Sequence, residues 1–96
     1  MRTIKYSNQF KRDYQRERSG KSRKYHQKLD NDLMAVVRLL AADAILPPRN
    51  SDHPLSGKWN DCRDCHVRPD LILIYRKPDA DHLELVRFGS HSEIGF

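Results

Sequence analysis

The spacing of apolar residues changes near the middle of the chain. Up to residue 40 they recur at helical intervals, and from residue 58 they alternate or gather in short runs. Phe10 and Tyr14 stand at i and i+4, on one side of a predicted first helix. Ser7 is placed to cap its start and Ser19-Gly20 to stop it. Leu29, Leu33, Val36, Val37 and Leu40 then fall at i, i+4, i+7, i+8 and i+11, the clearest helical period in the sequence. Pro47-Pro48 cannot continue that helix. Residues 47–57, with three prolines beside Asn50, Ser51 and Asp52, read as an extended loop.

The remainder reads as strand. Residues 71–75, Leu-Ile-Leu-Ile-Tyr, form an apolar β-type run suited to a central strand. Residues 76–81 make a hairpin-type connection to a strand at 83–88. Residues 58–67 supply another before Arg68-Pro69-Asp70 turns the chain, and residues 3–6 alternate as an opening strand. The order is β-α-α-β-β-β. It predicts an α+β fold, with two N-terminal helices packed on a small antiparallel sheet. The 96 residues are read as one domain, 1–96, without internal repeats.

Charge sharpens the picture. Residues 1–46 carry eleven Lys or Arg against five Asp or Glu, whereas residues 47–96 carry seven against eight. Lys11, Arg12, Arg16, Arg18, Lys21, Arg23 and Lys24 crowd the first helix and the start of the second. Such a face attracts phosphate backbones by counterion release without reading sequence. These residues and the RNA they would bind form the first functional expectation. The N-terminus shows no apolar signal region, and no apolar run approaches the ~20 residues that span a bilayer. A cytoplasmic protein without a membrane partner is expected.

Cys62-Arg63-Asp64-Cys65-His66 matches the haem-attachment pattern, and its first four residues match half of a zinc or redox motif. Haem attachment normally requires export. A structural zinc site needs a second ligand pair, and the chain has no other cysteine. A redox pair sits at a helix start, whereas this segment reads as strand, where residues i and i+3 face opposite ways. The two thiols are read as reduced, packed side chains. No metal and no cofactor is expected.

A second constellation is polar. His53 lies in the proline-rich loop, and His66 and Asp70 flank the turn at Val67-Arg68-Pro69. Arg87 ends the last strand, with His91 four residues on. If the chain stays extended, Arg87, Gly89 and His91 share one face. RNA cleavage uses these residue types. A base takes the proton of the attacking 2′-hydroxyl, an acid protonates the departing 5′-oxygen, and imidazole can do either near neutrality. Guanidinium matches the oxygens of the phosphorane. His26 and His82 are read as surface histidines.

Three segments carry a resemblance. They are Asp52-His53-Pro54-Leu55-Ser56-Gly57-Lys58-Trp59, then residues 63–75 from Arg63-Asp64-Cys65-His66 through Pro69-Asp70-Leu71 to Tyr75, then Val86-Arg87-Phe88-Gly89-Ser90-His91. In this order and spacing the sequence resembles the YafQ branch of the RelE-like toxin superfamily. The resemblance implies a bacterial type II toxin that enters the ribosomal A site, cuts messenger RNA and is neutralised by a cognate antitoxin. It implies His53, His66, Asp70, Arg87 and His91 as the active site. Arg87 would stabilise the phosphorane and His91 would be the general acid. Asp70 or His53 would be the base, and His66 would orient substrate or share the proton work. Phe96 is the counterpart of a functional aromatic near the family's C-terminus, set further from the last histidine. Leu71 stands where some relatives have Trp. The competing readings are a ParE-like toxin that binds DNA gyrase on the same scaffold without nuclease chemistry, and a non-catalytic RNA-binding domain.

Overall fold

The computed structural model describes residues 1–95. Strand β1 (Thr3–Tyr6) leads into helix α1 (Asn8–Arg18), and helix α2 (Arg23–Ala41) follows. A single 3-10 turn (Pro48–Asn50) and a two-residue strand β2 (His53–Pro54) occupy the proline-rich loop. A second 3-10 turn (Gly57–Trp59) precedes β3 (Arg63–Arg68), β4 (Leu71–Arg76), β5 (His82–Gly89) and a one-turn helix α3 (His91–Ile94).

Local chemistry fixes the helix starts. The Ser7 hydroxyl accepts the Phe10 N–H at 2.9 Å, and the Ser22 hydroxyl accepts that of Tyr25 at 3.1 Å. Helix α2 begins six residues before its first buried leucine, because Ser22 supplies the cap and the first turns stay exposed. It ends at Ala41, ahead of the two prolines, where Asp43 takes a left-handed conformation at φ 56°. The Tyr14 hydroxyl donates to Asp30 and ties the two helices together.

The sheet order is β1-β5-β4-β3-β2. Strands β2 to β5 pair antiparallel, as expected, whereas β1 joins β5 in parallel with Tyr6 opposite Leu85. Two intervening helices give the chain the crossover that a parallel pair requires. Residues 58–62 are not strand. Gly57, at φ 66°, opens a 3-10 turn there, and β3 starts at Arg63.

Strand β4 is buried on both faces. One face carries Leu71, Leu73 and Tyr75 into the main core, against Phe10, Leu29, Leu33, Val37 and Leu40 of the helices. The other carries Ile72 and Ile74 into a smaller cluster with Cys62 and Ile94, flanked by Leu55, Trp59 and Val86. Leu71 is thus a core residue. The cysteines fall in different clusters on opposite sides of the sheet, both reduced. Burial, reinforced by the neighbouring Asp61 carboxylate, pushes the Cys62 thiol up to about 11, and burial pushes Cys65 further in the same direction. Neither is poised as a nucleophile. At pH 8, a disulfide reagent should modify both at least about a hundredfold more slowly than a free thiol. Both should react promptly once guanidinium unfolds the chain. Fast labelling of the folded protein would contradict the packing described.

Candidate active site

The face of the sheet away from the helices carries the candidate chemistry. Strand register builds it in rows. His53 pairs with Asp64, Asp64 with Ile74, and Ile74 with Arg87, so one row crosses β2, β3, β4 and β5. The next row runs from His66 through Ile72 to Gly89. Paired residues share a face. Two isoleucines therefore floor the middle of a surface whose margins are polar.

Asp64 is the centre of the cluster. Its side chain is nearly fully buried, and it feels the charges of His53, His66 and His91. The rings of His66 and His91 meet edge to face with centroids 5.7 Å apart. His53 Nε2 lies 3.0 Å from Asp64 Oδ1, while His53 Nδ1 lies 2.7 Å from the Ser51 carbonyl oxygen. A carbonyl only accepts, so Nδ1 carries a hydrogen. The Nε2–Oδ1 approach is a charge contact only. Its angle lies outside hydrogen-bond geometry, which leaves Oδ1 with a charge partner and no hydrogen bond. Burial raises the Asp64 carboxyl above the ordinary carboxylate range, against the opposing pull of the three imidazoles. A buried carboxyl beside imidazoles is a chemical arrangement suited to acid–base work.

The surroundings hold these groups in place. The Asn50 amide donates to the His66 carbonyl at 2.6 Å. Asp52 accepts the Tyr75 hydroxyl at 2.6 Å and Arg63 Nε at 3.2 Å, which pins the loop that carries His53. His91 opens α3. The Ser90 hydroxyl accepts the Glu93 N–H at 3.2 Å, and Glu93 Oε1 accepts the Ser90 N–H at 2.9 Å, forming a capping box. The chain therefore does not stay extended to His91. It turns at Ser90, and the helix brings His91 to His66.

The other expected site residues stand apart. Arg87 lies in the Asp64 row, two strand spacings or roughly 10 Å along it. Its guanidinium is held by Asp13 of α1, with Nε 2.8 Å from Oδ2 and Nη2 3.4 Å from Oδ1. Asp70 is exposed on the β3–β4 turn and takes no hydrogen bond or ion pair among the described residues. Phe96 lies outside the described residues. Lys11, Arg12, Lys21, Arg23 and Lys24 are exposed on the helical layer, and Arg18 stacks over Tyr14 at 5.1 Å. Arg16 is drawn instead into the Asp13 contact, 2.9 Å from Oδ1. His26 and His82 are satisfied by local partners, the Arg18 carbonyl at 2.8 Å and Asp79 at 2.8 Å.

Two helices packed on one face of a five-stranded sheet, in the order β-α-α-β-β-β-β, form the architecture of the small RelE-like toxins. Residues 2–95 match the model for the bacterial toxin of type II toxin–antitoxin systems, YafQ. The chain belongs to the YafQ family. It is 37% identical over 94 residues to the mRNA interferase toxin YafQ of Escherichia coli K12, covering 97% of this chain and 95% of that protein. The YafQ of the E. coli DinJ–YafQ complex superposes with a TM-score of 0.76 at 33% identity over all of both chains. A copper-bound mutant toxin from Helicobacter pylori superposes with a TM-score of 0.83 at 35% identity, covering 98% of this chain and 99% of that one. Among the described residues, no group of three or more His, Cys, Asp or Glu side chains is arranged to hold a metal ion. No helix among them is long and apolar enough to cross a membrane.

The buried Asp64 carboxyl makes a prediction about stability. Folding raises it above its ordinary value of 3.8, so folding disfavours its ionised form. The favourable contribution is present below pH 3.8 and is lost as pH rises through the folded value. Asp64→Asn keeps the shape and removes that dependence. At pH 7 the variant should withstand urea at least as well as the parent, with the advantage fading towards pH 3. A variant markedly weaker at pH 7 would mark Asp64 as a structural carboxylate.

Proposed function

We propose that the chain is a messenger-RNA endoribonuclease of a type II toxin–antitoxin system. It works in the cytoplasm, cuts the message in the ribosomal A site, and is silenced by a cognate antitoxin. The observation that carries this reading is the grouping of three imidazoles around the buried Asp64. Support for the reaction class comes from the E. coli relative, named an mRNA interferase toxin.

In the reaction, the 2′-oxygen forms a bond to the adjacent phosphorus while the bond from phosphorus to the 5′-oxygen breaks. The upstream fragment keeps a 2′,3′-cyclic phosphate and the downstream fragment a 5′-hydroxyl. The proton of the 2′-hydroxyl goes to a base. His53 is the favoured base: Nδ1 donates to the Ser51 carbonyl, so Nε2 takes the proton, and the Asp64 carboxyl 3.0 Å away stabilises the imidazolium that forms. Asp70 is the other base that the family pattern offers. His91, at the start of α3, delivers the proton to the leaving 5′-oxygen, and His66 orients the substrate against it. Arg87 stabilises charge on the phosphorane.

Small size explains the need for a ribosome. Placing the 2′-oxygen in line with the leaving oxygen supplies a large part of the barrier reduction. A ribosome-held message supplies that placement, and the basic helices Asn8–Arg18 and Arg23–Ala41 dock on ribosomal RNA. The same basic surface suits an acidic antitoxin segment; the E. coli relative has been solved with DinJ.

Purified ribosomes programmed with a defined message provide the test. The parent protein should generate new 5′ ends at A-site codons, and free RNA should be cut far more slowly. His91→Ala should slow single-turnover cleavage about 10²- to 10⁴-fold. His53→Ala should do likewise, and Asp70→Ala should have a smaller effect. Cleavage that survives both histidine changes overturns the site. DNA breaks with gyrase in place of cut message would favour the ParE-like reading.

A further inference from the structure

Asp13 is the other buried carboxylate near the site, and the mechanism above does not use it. It sits in the middle of α1 and is fully inaccessible. It accepts Arg87 Nε at 2.8 Å, the Phe88 backbone N–H at 3.0 Å, Arg16 Nη1 at 2.9 Å and the Gln9 amide at 3.0 Å. Burial alone would raise this carboxyl, but the bonds from Arg87, Phe88, Gln9 and Arg16 outweigh it and hold the group below the ordinary range. It therefore stays ionised and keeps its grip through neutral and mildly acidic pH.

Topology explains why an aspartate is needed there. Strand β1 covers the outer edge of β5 only as far as Tyr6 opposite Leu85, and the chain then leaves the sheet at Ser7. Beyond that point α1 takes over the edge. Asp13 receives the Phe88 N–H, and Arg16 Nη2 donates to the Phe88 carbonyl at 2.9 Å, as a neighbouring strand would. Gly89 leaves room for this. A Cβ there would stand 2.5 Å from Arg16 Nη2. The extra residue in β5 between Leu85 and Arg87 re-aims the strand at the same place.

We propose that Asp13 is the positioning residue of the cleavage reaction. It clamps the Nε–Nη2 edge of the Arg87 guanidinium so that the Nη1 end is left to meet the scissile phosphate. This rests on the role given to Arg87 under the proposed function. An Arg side chain has several rotatable bonds, and a clamp on one edge removes that freedom before substrate arrives. Arg16 braces the carboxylate from its other side and reaches on to Glu93 at 3.0 Å, in the helix that carries His91.

A double-mutant cycle with ribosome-dependent cleavage tests this. Asp13→Asn keeps the shape and can still accept the Phe88 N–H, but it loses the charge that holds Arg87. Alone it should lower kcat about tenfold to a hundredfold with KM little changed. In an Arg87→Ala background it should cost nothing further. Parent-like kcat in Asp13→Asn, with Arg87→Ala slow, overturns the positioning role alone. A full additional loss in the double variant also overturns it and marks Asp13 as merely structural. Arg87→Ala cutting at the parent rate overturns the role of Arg87 and this inference together. Should Asp13→Asn fail to fold, nitrogen-15 NMR of the parent protein decides. The Arg87 Nε–H should exchange with water at least about tenfold more slowly than that of exposed Arg23. Equal exchange overturns the clamp.

Discussion

The constraint on which the structure depends is that β4 must be buried on both faces. Five consecutive apolar side chains cannot leave one side of a sheet to water. The helices solve half of the problem, with a core that runs from Phe10 to Leu40 and onto Leu73, Tyr75, Leu85 and Phe88. The other face has no layer of helices. Cys62, Leu55, Trp59 and Ile94 cover Ile72 and Ile74 from loops and from the final turn of helix. That thin cover leaves a strip where side chains from β2, β3 and α3 converge over an apolar floor. A carboxyl in such a strip is stripped of water without being fully paired, which is what Asp64 experiences.

The two buried carboxylates show how environment assigns roles to identical groups. Asp13 has four donors and is driven towards permanent ionisation. Asp64 has imidazoles that can gain or lose protons, one oxygen without a hydrogen bond, and a carboxyl pushed the other way. The first is suited to holding a cation still. The second is suited to exchanging a proton. Each lies within one helix turn or strand of a residue named in the site, so the separation is local. Removing Asp13 would leave two guanidinium groups facing each other over buried backbone, whereas removing the charge of Asp64 relieves an existing penalty.

Much of this was legible in the sequence because the local signals agreed. Ser7 as cap, the period from Leu29 to Leu40, the apolar run of β4 and the turn at Pro69-Asp70 each pointed to the element observed. The histidines were legible as residue types suited to proton transfer. Asp64 was obscured by the cysteines around it, although alternation along β3 puts it on the face of His66, two residues on. Helix α3 was legible in principle. Ser90 followed by Glu93 is a capping-box signal, but four residues before the C-terminal Gly-Phe gave no apolar period to support it. Asp13 was hidden among Lys11, Arg12 and Arg16, where a mid-helix carboxylate looks like a surface salt bridge. Only the parallel pairing of β1, a contact between distant parts of the chain, shows why α1 must supply an acceptor to β5.

The layers also divide the labour of the proposed reaction. Positive charge is concentrated on α1 and the first turns of α2, behind the sheet, whereas the imidazoles occupy its opposite face. A single short RNA strand cannot easily be held by both at once. In the proposed function a ribosome does this, with ribosomal RNA offering phosphate to the helices while the message reaches the other face. The edge of β5 joins the two sides. There α1 replaces the missing strand, and Arg16 and Arg87 meet on one carboxylate. The two faces of the sheet are thus joined at a hydrogen-bonded edge. Asp13 serves that edge twice over, since one carboxylate satisfies both a backbone N–H and two guanidinium groups.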